Sequence, residues 1–80
     1  MQFRKKPVVV EAVQLTSAML DGIESLPGGV FRNSERNFGV VTLEGVMTGN
    51  AGDWLITGVK GEKYICRRDI FEQTYERVLV

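Results

Sequence analysis

Residues Gly52 to Phe71 read GDWLITGVKGEKYICRRDIF. Two apolar-rich runs, Asp53–Thr57 and Glu62–Cys66, flank the tetrapeptide GVKG. Its two glycines give the backbone the freedom that a hairpin turn demands, so the stretch predicts two antiparallel strands. Asp53 stands between a glycine and Trp54, a place where a carboxylate caps its own turn by accepting backbone N–H groups. The following RRDIFEQTY predicts one or two helical turns, with Phe71 and Tyr75 four apart on one face. Glu76 to Val80 then predicts a closing strand.

Upstream of this stretch the alternation continues. Asn37 to Leu43 places Phe38, Val40 and Thr42 on one face and Val41 and Leu43 on the other. Glu44-Gly45 turns it into Val46-Met47-Thr48, a second hairpin. Val30-Phe31 predicts a short strand closed by the polar turn RNSERN. Before it, TSAMLDGIESLPGG predicts a helix capped by Thr16 or Ser17, with Met19, Leu20, Ile23 and Leu26 at three- and four-residue steps. Gly22 weakens that helix by about 1 kcal/mol relative to alanine, and Pro27-Gly28-Gly29 ends it. Phe3 to Thr16, rich in valine, predicts one long strand, with Pro7 near its start or on an edge. The sum is an α+β chain with a single domain over residues 1–80. It predicts about six strands in a small, strongly bent antiparallel sheet or open barrel, with one short helix and a C-terminal helical turn.

Composition bounds the function. The 80 residues are 44% hydrophobic and 25% charged, as in an ordinary folded domain. Ten basic residues balance ten acidic ones, which argues against nucleic-acid binding through bulk electrostatics. A domain this small gains from oligomerisation, so a homo-oligomer is expected. The basic-then-apolar start is interrupted by Glu11 and Gln14, unlike a signal peptide, and no run is long enough for a membrane span. Lone Cys66 has no disulfide partner in the chain, which fits a reducing, cytoplasmic setting.

The chain holds no histidine. That removes Ser-His and Cys-His nucleophile pairs, the usual neutral-pH base and the commonest zinc ligand. No phosphate-cradling glycine motif occurs, and nothing in the residues calls for a cofactor or a metal. What remains is a set of candidate binding residues. Glu11 shares a strand face with Val9, Val13 and Leu15; it is either a pocket carboxylate or, the favoured reading, a solvated charge. Trp54 is a core residue by default, and at a pocket mouth an indole stacks on a base or sugar. Cys66, beside Arg67 and Arg68, is better read as a small buried hydrophobe than as a reactive thiol. The basic residues fall into two groups, Arg4-Lys5-Lys6 and Lys60, Lys63, Arg67 and Arg68. If the first strand pairs near the second group, they merge beside Tyr64 into a site for an anion. Otherwise, with Glu62, Asp69 and Glu72 interleaved, they form a charge-mixed surface.

The opening FRKKPVVVEAVQLT, together with LEGVMTGNAGDWLITGVKGEKYICRRDIFEQTYERV, resembles a family of small phage and prophage proteins. Its members share an FRKKPVxxEAxQ start and a PGDW(I/L)IxGVKGExYxCxPDIFExTYE ending. The likeness covers both ends and more than half of the chain. Ala51 and Arg68 stand where the pattern has proline; the second change removes the ring that presets a first helical position. The resemblance implies a phage or prophage origin and the cytoplasm of an infected or lysogenic bacterial host, but no particular activity.

Three functions follow as expectations. The first is a non-catalytic module that binds a small anionic ligand such as a nucleotide, by analogy with phage sponges that sequester host nucleotide immune signals as an anti-defence measure. Its candidate contacts are Arg4, Lys5, Glu11, Trp54, Lys60, Lys63, Tyr64 and Arg67. The second is a protein-interaction module, marked by an apolar surface patch or an unpaired strand edge. The third, favoured least, is a histidine-free hydrolase using Glu11 or Asp53.

Overall fold

A strand persists only where a neighbour supplies its ladder, and this rule sets the boundaries. The computed structural model describes residues 1–3 and 8–78. In chain order its elements are β1 (Glu11–Gln14), α1 (Ser17–Leu20), β2 (Val30–Arg32), β3 (Phe38–Thr42), β4 (Gly45–Gly49), β5 (Trp54–Thr57), β6 (Lys63–Cys66) and α2 (Arg68–Thr74). They form two three-stranded antiparallel sheets, ordered β1-β5-β6 and β2-β3-β4. The chain is therefore α+β, with two sheets packed on each other in place of one bent sheet, and the strands do not close a barrel.

Register explains the layering. Val13, Leu55 and Ile65 lie side by side across the first sheet, and Val30, Val40 and Met47 across the second. Leu55 and Ile65 meet Phe38, Val40 and Val30 between the sheets, joined by Leu15 and Met19. Phe38 and Leu15 are fully buried, and each such side chain contributes about 1.5–3 kcal/mol. The sheets approach closely where Gly49 faces Ile65: a Cβ on Gly49 would stand 2.6 Å from Ile65 Cγ2. Any side chain there would push the layers apart.

The opposite face of the first sheet carries Ile56, Tyr64 and Trp54. Here α2 lays Phe71 flat on Trp54 (centroids 4.1 Å apart, planes 10° from parallel) and Tyr75 on Phe71 at 5.1 Å. Ile56, on this same face, is fully buried. Phe71 and Tyr75 thus stack as their spacing predicts, although Tyr75 lies just past α2 in extended backbone. The start of α2 is held by Asp53, whose Oδ1 accepts from the Arg68 N–H at 3.2 Å while Oδ2 accepts from the Asn50 N–H at 2.9 Å. A proline at 68 would have no N–H to donate; arginine there gives Asp53 a second partner.

Three expected elements are shorter or absent. The long first strand shrinks to Glu11–Gln14, because β5 ends at Thr57, opposite Glu11, and Val8–Val10 have no further register position. The part of that strand at Arg4–Pro7 lies outside the described residues. The predicted helix is a single turn, capped by Thr16 Oγ1 accepting from Met19 N–H at 3.3 Å. Gly22, at φ 78°, takes the chain out of the helix, so Ile23 is exposed, while Leu20 and Leu26 pack against the core edge. Glu76–Val78 form no strand, and Leu79–Val80 lie outside the described residues.

Candidate binding groove

The β3–β4 turn is fastened by Thr42, whose Oγ1 donates to the Gly45 carbonyl at 2.8 Å and accepts from the Glu44 N–H at 3.1 Å. That fastening holds Leu43 at the tip, fully exposed at 104%. Facing it is the β5–β6 turn, closed by Gly58 N–H donating to Glu62 O at 2.8 Å and Gly61 N–H to Gly58 O at 3.0 Å. The Glu62 carboxylate folds back on this turn and accepts from the Lys60 N–H at 3.1 Å. Between the turns runs an open groove of about 730 Å³, lined chiefly by Val40, Val41, Leu43, Met47, Glu44 and residues 61–64.

The groove is apolar with a few charges. Lys63 lays its stem along Gly29 and donates from Nζ to Thr57 Oγ1 at 3.1 Å. Glu11, Thr57 and Lys63 are register neighbours, so a carboxylate, a hydroxyl and an ammonium form a row across the first sheet. In the groove itself Lys63 is set against two carboxylates, Glu44 and Glu62. Val41 is 69% exposed and Val46, its cross-strand partner, 59% exposed. Large apolar side chains thus crowd one exposed hairpin, which a soluble domain ordinarily avoids.

A second hollow of about 310 Å³ lies at the start of α2, lined by Ala51, Asp53, Arg67, Arg68 and Asp69. Both of its acids are engaged: Asp53 as above, Asp69 with Arg67 at 3.0 Å and with the Ile70 N–H at 3.0 Å. Cys66, half-buried nearby, has its thiol pKa pushed up by burial and then by the negative charges of Asp53 and Asp69. The thiol is therefore held protonated, as suits a packing residue rather than a nucleophile.

The residues singled out in the sequence scatter. Lys63 and Tyr64 are consecutive on β6 and so point to opposite faces of the sheet. Lys63 serves the groove; the Tyr64 hydroxyl lies 3.1 Å from that of Tyr75 under α2. That hydrogen bond, with burial second, raises the Tyr64 pKa to about 12. Trp54 has one face covered by Phe71 and sits in the same aromatic stack. Lys60 is exposed on its turn, and Arg67 is exposed and paired with Asp69. Glu11 is exposed, as its favoured reading has it, although Val8 and Val9 beside it are exposed too. β1 pairs with β5, which separates it from β6 by one strand; Arg4, Lys5 and Lys6, the first basic group, lie outside the described residues. The groove residues Val41, Leu43, Glu44 and Met47 were missed as functional candidates. Their signal was present: alternation put Val41 and Leu43 opposite the buried Phe38–Val40 face, with no second layer in the sequence to cover them.

Comparison with protein-family models, with curated proteins and with solved structures found no match to this chain.

Proposed function

We propose that this chain is a non-catalytic interaction module whose working surface is the groove between the β3–β4 hairpin and the β5–β6 turn. The observation that carries the reading is the bare apolar hairpin, with Val41, Leu43 and Met47 exposed along a groove of ligand size and Val46 exposed beside Val41. Its charge selects the partner. Glu44 and Glu62 outweigh Lys63, so the groove favours an extended peptide segment with apolar side chains and basic neighbours. The phage or prophage setting suggested by the terminal motifs belongs to the same proposal.

A small anion such as a nucleotide has weaker support. In the groove it would meet two carboxylates, and in the smaller hollow the two guanidinium groups already share their space with Asp53 and Asp69. Amide NMR separates the readings. Titration with a short peptide of alternating lysine and valine should shift the signals of Val41, Leu43, Met47 and Lys63, while mono-, di- and cyclic nucleotides should leave them in place. Saturable shifts at Lys60, Lys63 and Arg67 with nucleotide, and none with peptide, would overturn the proposal in favour of the anion.

A further inference from the structure

We infer that the occupant of the groove is the arm formed by residues 1–10 of a second copy of this chain. The inference rests on the reading of the groove as a peptide-docking surface and adds the identity of the peptide.

Charge is the first ground. Three of the chain's ten basic residues, Arg4, Lys5 and Lys6, fall in the first ten positions, and none of its ten acids does. Residues 11–80 therefore carry seven basic against ten acidic side chains. A chain that is neutral as a whole is thus divided into a positive arm and a negative body, and the groove on that body shows two carboxylates to one ammonium. Opposite charges on two parts of one sequence favour their association across copies.

Apolar surface is the second ground. Phe3 is 87% exposed and Val9 70% exposed, with Met1 and Val8 exposed beside them. Val8–Val10 are β-branched and favour extended backbone, yet the β1 ladder stops at Glu11 because β5 has ended. The arm is a strand-former whose described residues find no strand partner within their own copy. The groove has the converse property: an apolar lining and, in β4, an edge strand with neither a charge nor a proline to deter pairing.

Docking therefore places Phe3 as an aromatic anchor among Val41, Leu43 and Met47, with Arg4, Lys5 and Lys6 toward Glu44 and Glu62 and the valine run along β4. Because each copy both offers an arm and presents a groove, the exchange closes as a symmetric dimer or a ring.

Charge reversal in the full-length protein tests this by sedimentation equilibrium, with folding of each variant checked by far-ultraviolet circular dichroism. The unmodified chain should self-associate, and added salt should weaken that association. Reversing the arm (Arg4→Glu, Lys5→Glu, Lys6→Glu) should weaken it by at least about tenfold, and so should reversing the groove (Glu44→Lys, Glu62→Lys). Mixing the two variants should restore association, since each arm then meets a groove of opposite sign. Leu43→Glu, at a fully exposed tip, should dissociate the assembly without touching the core. A chain that stays monomeric at millimolar concentration, or an assembly indifferent to arm reversal, would overturn the inference. If the lysine-valine peptide still binds the groove of such a monomer, only the identity of the occupant fails; if it does not, the groove reading fails with it.

Discussion

Replacing Gly49 with alanine puts the packing of the two sheets to a direct test. Gly49 closes β4 opposite Phe38, and its missing side chain is where Ile65 sits. An added Cβ would lie 2.6 Å from Ile65 Cγ2 and 3.1 Å from Cδ1, whereas carbon atoms rest at about 3.5–4.0 Å. Ile65 must then retreat by about 1 Å. It is β-branched, stiff at χ1 and only 8% exposed within the core. Overpacking of this kind costs about 1–3 kcal/mol. Against it, alanine restricts the unfolded chain and returns about 0.4–1 kcal/mol. At the middle of both ranges the clash wins, with a net loss of about 1.3 kcal/mol and a fall in Tm of about 5–10 °C for a domain of this length. Urea denaturation followed by Trp54 fluorescence measures it. Ile65→Leu removes the Cγ2 branch at a cost under about 1.5 kcal/mol, so the double variant should be more stable than the sum of the two single losses implies. A Gly49→Ala protein as stable as the parent, or additive behaviour in the double variant, would refute the sheet contact.

Two further outcomes are expected. Asp53→Ala strips the acceptor from both the Asn50 and Arg68 N–H groups and should cost about 1–2 kcal/mol in urea denaturation; Asp53→Asn, which keeps one accepting oxygen, should cost less. Tyr64, an acid whose folded pKa is raised from 10.0 to about 12, holds its proton longer folded than unfolded. Its stabilising contribution is complete below about pH 10 and is lost as pH rises from there through about 12. Tyr64→Phe should flatten that part of the stability–pH curve, and phenolate absorbance should show the late titration directly.

Most of the strands were legible in the sequence because their signals are local. Phe38-Gly-Val40 alternates about a turn defined by Glu44-Gly45, and GVKG dictates a hairpin whatever surrounds it. Helix α2 was legible for the same reason: Phe71 and Tyr75 stack through their spacing. The elements that came out differently depend on a partner. Val8–Val10 have the composition of a strand, yet β5 offers them no register. Ile23 has helical spacing, yet Gly22 turns the chain away before it can be used.

By itself, the sequence determined the two hairpins about Glu44-Gly45 and GVKG, the absence of any histidine, and the division of charge between the first ten residues and the rest. Only the tertiary structure decided which faces meet. A strand's two faces are equivalent until another layer covers one of them. The packing of β6 on β3 and β4 buries Phe38, Val40 and Ile65 and leaves Val41, Leu43 and Val46 bare. Alternation on β6 likewise puts the Lys63 and Tyr64 side chains on opposite faces, so that both residues border the groove but the Tyr64 hydroxyl is engaged by Tyr75 at α2. The proposed binding surface took its shape only once packing had chosen the buried side.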